Sequence, residues 1–319
     1  MPERNDDIHA IRALRDQTAS EYGEWTAHDI RLAEGVSTRL GAGDHHRLRR
    51  CLQLAADLTG RPLETLRVLD LGALEGQYAV EFALHGADTV AIEGRNANIE
   101  KARFARDTLG LDNVELREED VRSLSPERHG TFDVVLCLGL LYHLDAEHVF
   151  PFLCQLADVC RGVLIIDTHV ALRGTTPQTH DGHEYRGLRF IEHDPRASHE
   201  QRGRSLWASL DNAESFWPTR PSLLRGLMRA GFTSVMTAEV PVILASRDRI
   251  TFVALKGERV TLRSPPADTD DDLPTEQSPP RFVRNQSRGF LLAKRFALRG
   301  LVIRDRLARR SQRGSARPS

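Results

Sequence analysis

The chain has 319 residues and 40% hydrophobic content, enough to bury a sizeable core. Its formal net charge of -1 gives no general attraction for polyanions, and no apolar run approaches the roughly 18 residues that a membrane-spanning helix needs. The polar start Met1-Pro2-Glu3-Arg4-Asn5-Asp6-Asp7 lacks the apolar centre of a secretion signal, so a cytoplasmic location is expected.

Four cysteines, Cys51, Cys137, Cys154 and Cys160, form no Cys-x-x-Cys pair and sit among apolar residues. They read as small core residues rather than a disulfide framework or a zinc site. Three of the 44 basic residues are lysines, which makes the arginine bias a matter of composition before function.

Residues 1–61 read as a polar, helical N-terminal cap, with a helix near 47–58 ending at the turn Gly60-Arg61-Pro62. From residue 62 to 257, short apolar runs alternate with helical stretches: 66–71, 76–85, 89–93, 96–109, 114–117, 132–138, 146–160 and 163–167. Strands alternating with helices of that length imply a mostly parallel, doubly wound sheet with helices on both faces. The alternation stops over 168–221, where an insertion after the fifth strand of this series forms a substrate cover carrying Trp207, Asn212 and Trp217. A helix at 222–230, the break Gly231-Phe232 and two strands near 233–240 and 249–256 complete a seven-stranded sheet.

Residues 258–280, rich in Pro, Asp, Ser and Thr, read as a disordered linker. Residues 281–319 form a basic tail with 12 basic residues against one acid, Asp305. On a helix, Arg288, Arg295, Arg299, Arg306 and Arg310 share a stripe beside Phe290, Leu291, Leu298, Leu301 and Val302. Such a tail suits an anionic membrane surface or nucleic acid, or is a solvated end.

The chemistry is concentrated in Val68-Leu69-Asp70-Leu71-Gly72-Ala73-Leu74-Glu75-Gly76: an apolar strand, an acid at its end, then glycines opening a helix. Glycine lets a backbone approach a ligand closely, and a strand-to-helix turn is expected to aim free N–H groups at it. Two further acids follow successive strands. Glu93 is placed to accept ribose hydroxyls, while Asp120 is placed to accept from an adenine amino group with Val121 packed on the ring. Three acids after three strands suit a cationic, adenosine-containing ligand better than a pyrophosphate, and Asp70 precedes the glycines, unlike a dinucleotide-binding turn.

On these residues the chain resembles the class I S-adenosylmethionine-dependent methyltransferases over about residues 62–257. The resemblance implies a Rossmann-like sheet and S-adenosyl-L-methionine as cofactor. It implies that the turn with Asp70, Gly72, Ala73 and Gly76 holds the methionine part, Glu93 the ribose, Asp120 and Val121 the adenine, with Gly139 also at the cofactor. Leu74 stands where the family has its middle glycine, and a tighter or shifted loop is expected.

The run Phe132 to Leu144 looks like the family's fourth strand and the start of its next helix. Leu141-Tyr142-His143, Leu164-Ile165-Ile166-Asp167-Thr168 and Ser215-Phe216-Trp217-Pro218-Thr219 are similar to the branch containing the bacterial tRNA wobble-uridine carboxymethyltransferases, which use a carboxylated cofactor. That cofactor would need a cation near its carboxylate, and the sequence identifies none.

His143 and His169 are the candidate general bases for an acceptor hydroxyl, and Tyr142, Trp207, Asn212 and Trp217 are candidates for the acceptor pocket. His180-Asp181-Gly182-His183-Glu184 has ligand types for a divalent metal, but four polar groups in one loop more often face solvent, and no metal is expected. Three functions remain: O-methylation of a small molecule such as a sugar or lipid-linked acceptor; methyl or carboxymethyl transfer to tRNA through the basic tail; and a non-catalytic binding protein on the same fold.

Overall fold

The computed structural model describes residues 3–39, 45–194, 196–203, 205, 207–238, 248–260 and 263–264. The basic tail and most of the linker named above lie outside the described residues.

The N-terminal region is helical at both ends, with α1 (Glu3–Tyr22) and α2 (His45–Thr59), but between them stands a small antiparallel pair, β1 (Arg31–Ala33) and β2 (Val36–Ser37). Leu48, Cys51, Leu54 and Ala55 along α2 are buried at helical spacing. They join Val68, Tyr78, Phe82 and Ile165 in the core on one side of the main sheet.

That sheet contains β3 (Arg67–Leu71), β4 (Asp88–Glu93), β5 (Val114–Glu118), β6 (Phe132–Leu138), β7 (Cys160–His169), β11 (Ser234–Thr237) and β12 (Arg249–Leu255). Its order is β11-β12-β7-β6-β3-β4-β5, parallel throughout except that β12 runs antiparallel to both neighbours. The doubly wound, seven-stranded architecture therefore agrees with the sequence reading. Strands buried on both faces need continuous apolar runs rather than alternation, and β3, β6 and β7 supply them.

The connections are α3 (Gln77–Leu84), α4 (Asn96–Thr108), the short α5 (Pro126–His129) and α6 (Val149–Val159). After β3 the chain turns to β4 on one side, while β6 returns to the other. That reversal opens a crevice at the carboxyl ends of β3 and β6, the position where open α/β sheets bind ligands.

The insertion is more regular than its sequence suggests. β8 (Thr176–His180), β9 (His183–Ile191) and β10 (Glu214–Pro218) form a separate antiparallel sheet, with the short helix α7 (His199–Gly203) in the long connection. Asp181 and Gly182 both have positive φ, 48° and 73°, and they make the tight turn of the β8–β9 hairpin, across which His180 faces His183 in register. The polar cluster 180–184 is thus a hairpin tip. Its strands escaped the sequence reading because β9 is exposed on most of both faces and carries no clear alternation.

β10 then leads into α8 (Arg220–Arg229), whose first turn is capped by the Thr219 hydroxyl accepting from the Ser222 N–H at 3.3 Å. Phe216, Leu223 and Leu227 bury against Phe150, Leu153 and Phe252 in the core on the second side of the sheet.

Candidate functional site

Two cavities of about 540 and 1080 Å³ open along the carboxyl edge of the sheet and share Gly72, Glu93, Arg95, Leu140, His143 and Ala208 in their walls. The smaller is also lined by Gly94, Asp120, Val121, Leu210 and Asn212, and the larger by His28, Arg47, Asp70, Ala73, Gly139, Tyr142, Trp207 and Arg249. The three acids read from the sequence therefore come together in one groove, with Glu93 at its waist.

Asp70 ends β3 with 3% of its surface exposed, and its Oδ2 has no hydrogen-bond partner. Burial pushes its carboxyl up to about 7; the Ala79 N–H opposes that shift and the charge of Glu93 adds to it. A buried acceptor without a donor is costly, so Asp70 suits a cationic ligand group.

Glu93 is buried too, and burial raises its pKa. Its oxygens accept from the Leu74 N–H at 3.0 Å, the Arg95 N–H at 3.0 Å and Asn98 Nδ2 at 3.3 Å. The first contact holds the turn. Leu74 keeps the left-handed conformation that a glycine would take there, with φ 50°, at a cost of about 1–2 kcal/mol for a side-chain-bearing residue.

Five N–H groups of the turn, which its sequence suggests are free, are already engaged. The N–H groups of Gly72 and Ala73 donate to Ile92 O, that of Leu74 to Glu93, that of Gly76 to Ala73 O, and that of Gln77 to His28 Nδ1 at 3.2 Å. Closing the turn onto β4 consumes its own donors. Gly76 remains necessary for packing, since a Cβ there would lie 2.9 Å from Ala102 Cβ.

Asp120 is engaged as well. Its carboxylate caps the following turn through the Arg122 N–H and pairs with the Arg122 guanidinium, which also reaches Asp211 at 2.7 Å. Burial pushes the Asp120 carboxyl up, but Arg122 outweighs it and holds the group below its usual range. Val121, nearly buried, lines the smaller cavity. Arg95 closes this end, donating to the carbonyls of Gly203, Ser205, Ala208 and Ser209 and so fastening the insertion to the β4–α4 loop.

At the other end an N-terminal segment lies over the turn. Glu75, fully buried, accepts from the N–H groups of Thr26, Ala27 and His28 and from Lys101 Nζ at 2.9 Å. This ion pair straps residues 26–28 across the mouth of α3, where burial lowers the His28 pKa to about 4.

His143 Nδ1 lies 3.0 Å from Glu192 Oε2, and Glu192 is nearly inaccessible. A carboxylate only accepts, so Nδ1 carries the proton, and in the neutral imidazole Nε2 keeps the lone pair. Burial alone would raise the Glu192 carboxyl, but His143 and the Ser209 N–H hold it below the usual range. His169 does not line either cavity. It stacks on Trp217 at 4.7 Å and meets the Tyr142 ring edge at 4.8 Å, and burial lowers its pKa.

Trp217 is also outside the walls, sandwiched between His169 and Phe190, with Nε1 donating to Tyr142 O at 3.0 Å. Asn212 lines the smaller cavity and donates to His143 O at 3.0 Å. Trp207, 69% exposed, stands at the rim of the larger. Gly139, with φ 78°, leaves open the space between Arg249 and the Tyr142 hydroxyl.

Five further residues shape the site without having been singled out by sequence: His28, Arg47, Arg95, Glu192 and Arg249. Arg249 donates to buried Asp167 at 2.6 Å, and Arg47 lies 3.7 Å from the same carboxylate. Among the described residues no group of His, Cys, Asp and Glu is placed to hold a metal ion, and no helix is long and apolar enough to cross a membrane.

Residues 68–162 match a family model described as a methyltransferase domain. Over 108 residues the chain is 32% identical to a ubiquinone biosynthesis O-methyltransferase of Maricaulis maris, and over 145 residues 27% identical to one of Acinetobacter baumannii. These alignments cover 34% and 41% of this chain but only 42% and 61% of the two relatives. The N-terminal domain of EvdMO1, solved in the presence of S-adenosylhomocysteine and D-fucose, superposes with a TM-score of 0.61 at 27% identity, covering 77% of this chain and 97% of that one. By matched segment and by fold, the chain is thus similar to S-adenosylmethionine-dependent methyltransferases, while it spans only about half the length of the curated relatives it matches.

Proposed function

We propose that the chain methylates an oxygen of a small molecule, a sugar or lipid-linked acceptor, with His143 as the general base. The observation carrying this reading is the His143–Glu192 pair in the wall shared by both cavities. The names of the relatives support it, since two are O-methyltransferases and the third was crystallised with a sugar.

The residues fit the cofactor: Asp70 has an unpaired buried oxygen for a cation, and Gly139 leaves room that a side chain would fill. When bound, the cofactor supplies a methyl group made electrophilic by a sulfonium. Asp70, Gly72 and Ala73 would hold its methionine part, Glu93 the ribose, and Asp120 with Val121 the adenine. His143 Nε2 would take the proton of the acceptor hydroxyl as its oxygen receives the methyl group that the cofactor would supply. Glu192 offsets the imidazolium charge that results. Tyr142 and Trp207 border the acceptor, while His169 and Trp217 hold the Tyr142 ring in place and Asn212 holds the His143 backbone.

The test is methyl transfer to D-fucose and a panel of other hydroxylated acceptors, read by mass spectrometry. A methylated oxygen, with His143→Ala strongly impaired and His169→Ala much less so, is expected. Product on nitrogen or carbon, or an indifferent His143→Ala, would overturn the reading.

A second reading, carboxymethyl transfer to tRNA, is favoured by one observation. Arg47 and Arg249 line the larger cavity and supply the cations that a carboxylated cofactor requires. The basic tail assigned to tRNA contacts lies outside the described residues, and product mass separates methyl from carboxymethyl.

A further inference from the structure

The larger cavity poses a recognition problem that the engaged N–H groups of the turn do not solve. An S-adenosylmethionine carries an α-ammonium and an α-carboxylate, and Asp70 has the sign to meet only the first. Helix N-termini usually meet carboxylates with backbone N–H groups, but those of Gly72, Ala73, Leu74, Gly76 and Gln77 are all spent inside the protein. With these five engaged, a side chain is the better-placed donor.

His28 is placed to be that donor. It lies in the wall of the cavity together with Asp70, Ala73, Leu74 and Gln77, on the strap that Glu75 and Lys101 pin down. Its Nδ1 accepts from the Gln77 N–H. In a neutral imidazole that fixes the tautomer, because the ring proton must then sit on Nε2. The strap's own hydrogen bond thus converts His28 into a fixed N–H donor beside a turn whose N–H groups at Gly72, Ala73, Leu74, Gly76 and Gln77 are engaged. Arg47 and Arg249 are the rival donors, but both already face the Asp167 carboxylate on β7.

We propose that His28, through Nε2–H, binds the α-carboxylate of the cofactor's methionine part, with Asp70 on its ammonium. The inference rests on the cofactor reading above and extends it to a residue outside the matched segment 68–162.

The test is calorimetric titration of the full chain with S-adenosylhomocysteine and with 5′-methylthioadenosine, which lacks both the carboxylate and the ammonium. His28→Ala should weaken S-adenosylhomocysteine by about 10- to 100-fold, as expected for losing a hydrogen bond to a charged group, and leave methylthioadenosine within about twofold of the parent. His28→Gln, which can place an amide N–H near the Nε2 position, should recover most of the loss. Equal weakening of both ligands would make His28 a merely structural prop and overturn the proposal. So would unchanged S-adenosylhomocysteine binding, or a carboxylate-selective loss in Arg47→Ala alone. A parent protein that binds methylthioadenosine but not S-adenosylhomocysteine contradicts His28 only, whereas one that binds neither removes the cofactor reading with it.

Discussion

The two halves of the groove are built in different ways. The half proposed for the nucleotide takes its residues from the ends of successive strands, Asp70 on β3, Glu93 on β4 and Asp120 after β5, so sheet order alone brings them together. The half proposed for the acceptor is gathered from distant segments: His143 after β6, Glu192 and Trp207 from the insertion, Arg249 on β12. A site dictated by sheet topology tolerates changes elsewhere, whereas one assembled from distant segments depends on the contacts that hold those segments down. Perturbing each half separately should reveal that difference.

The largest effect is expected at His143. His143→Ala should lower kcat for transfer to D-fucose by about 10²- to 10⁴-fold while S-adenosylhomocysteine affinity, read by calorimetry, moves little. A parallel loss of both would mean the two halves are not separable.

Next comes Lys101→Met, which leaves buried Glu75 without its cation and should cost about 3–5 kcal/mol in urea unfolding. Glu75 itself is pushed up by burial but held below its ordinary value by the strap N–H groups and Lys101. Its contribution is therefore present above the unfolded carboxyl value and lost as pH falls through the lower folded one. An unchanged midpoint would show that the strap is not fastened there.

A smaller effect belongs to the nucleotide half. Asp70 is held to about 7, above its ordinary 3.8. A raised acid costs stability as pH climbs through that window and stops changing above it. Binding a cationic cofactor favours the ionised form, so affinity should rise from pH 6 to pH 8, with proton release detectable by calorimetry in buffers of different ionisation enthalpy. Asp70→Asn should flatten the curve; a flat parent curve would contradict the assignment. The smallest effect is expected at the rim. Trp207→Ala should raise the acceptor KM a fewfold, the scale of one aromatic contact worth about 0.5–1.5 kcal/mol, and leave cofactor binding unchanged.

The same contrast explains what could be read from sequence. The alternation of apolar runs and helices carried the main sheet, because buried parallel strands must be continuous in hydrophobicity, and an acid near each strand end carried the gathering of Asp70, Glu93 and Asp120 along one groove. Pairing was not legible. Nothing in Gly72-Ala73-Leu74 announces that their N–H groups turn back to β4, nor that Asp120 is shared with Arg122. Glu192 and Arg249 carry no local signal, since their roles arise from hydrogen bonds to residues 49 and 82 positions away. Trp217, read as an acceptor contact, instead stacks behind the wall because the β10 register sets it beside Phe190 and His169. His28 did leave a trace, Trp25-Thr26-Ala27-His28 in an otherwise polar segment, but only the fold shows that it reaches the turn.

The most direct test of the central claim is calorimetric titration of the full chain with S-adenosylmethionine, repeated on an Asp70→Ala, Glu93→Ala double variant. The groove described here predicts micromolar binding by the parent and loss of at least about two orders of magnitude in the variant, the scale of two buried charged contacts. Equal binding by both proteins, or none by the parent, would contradict it.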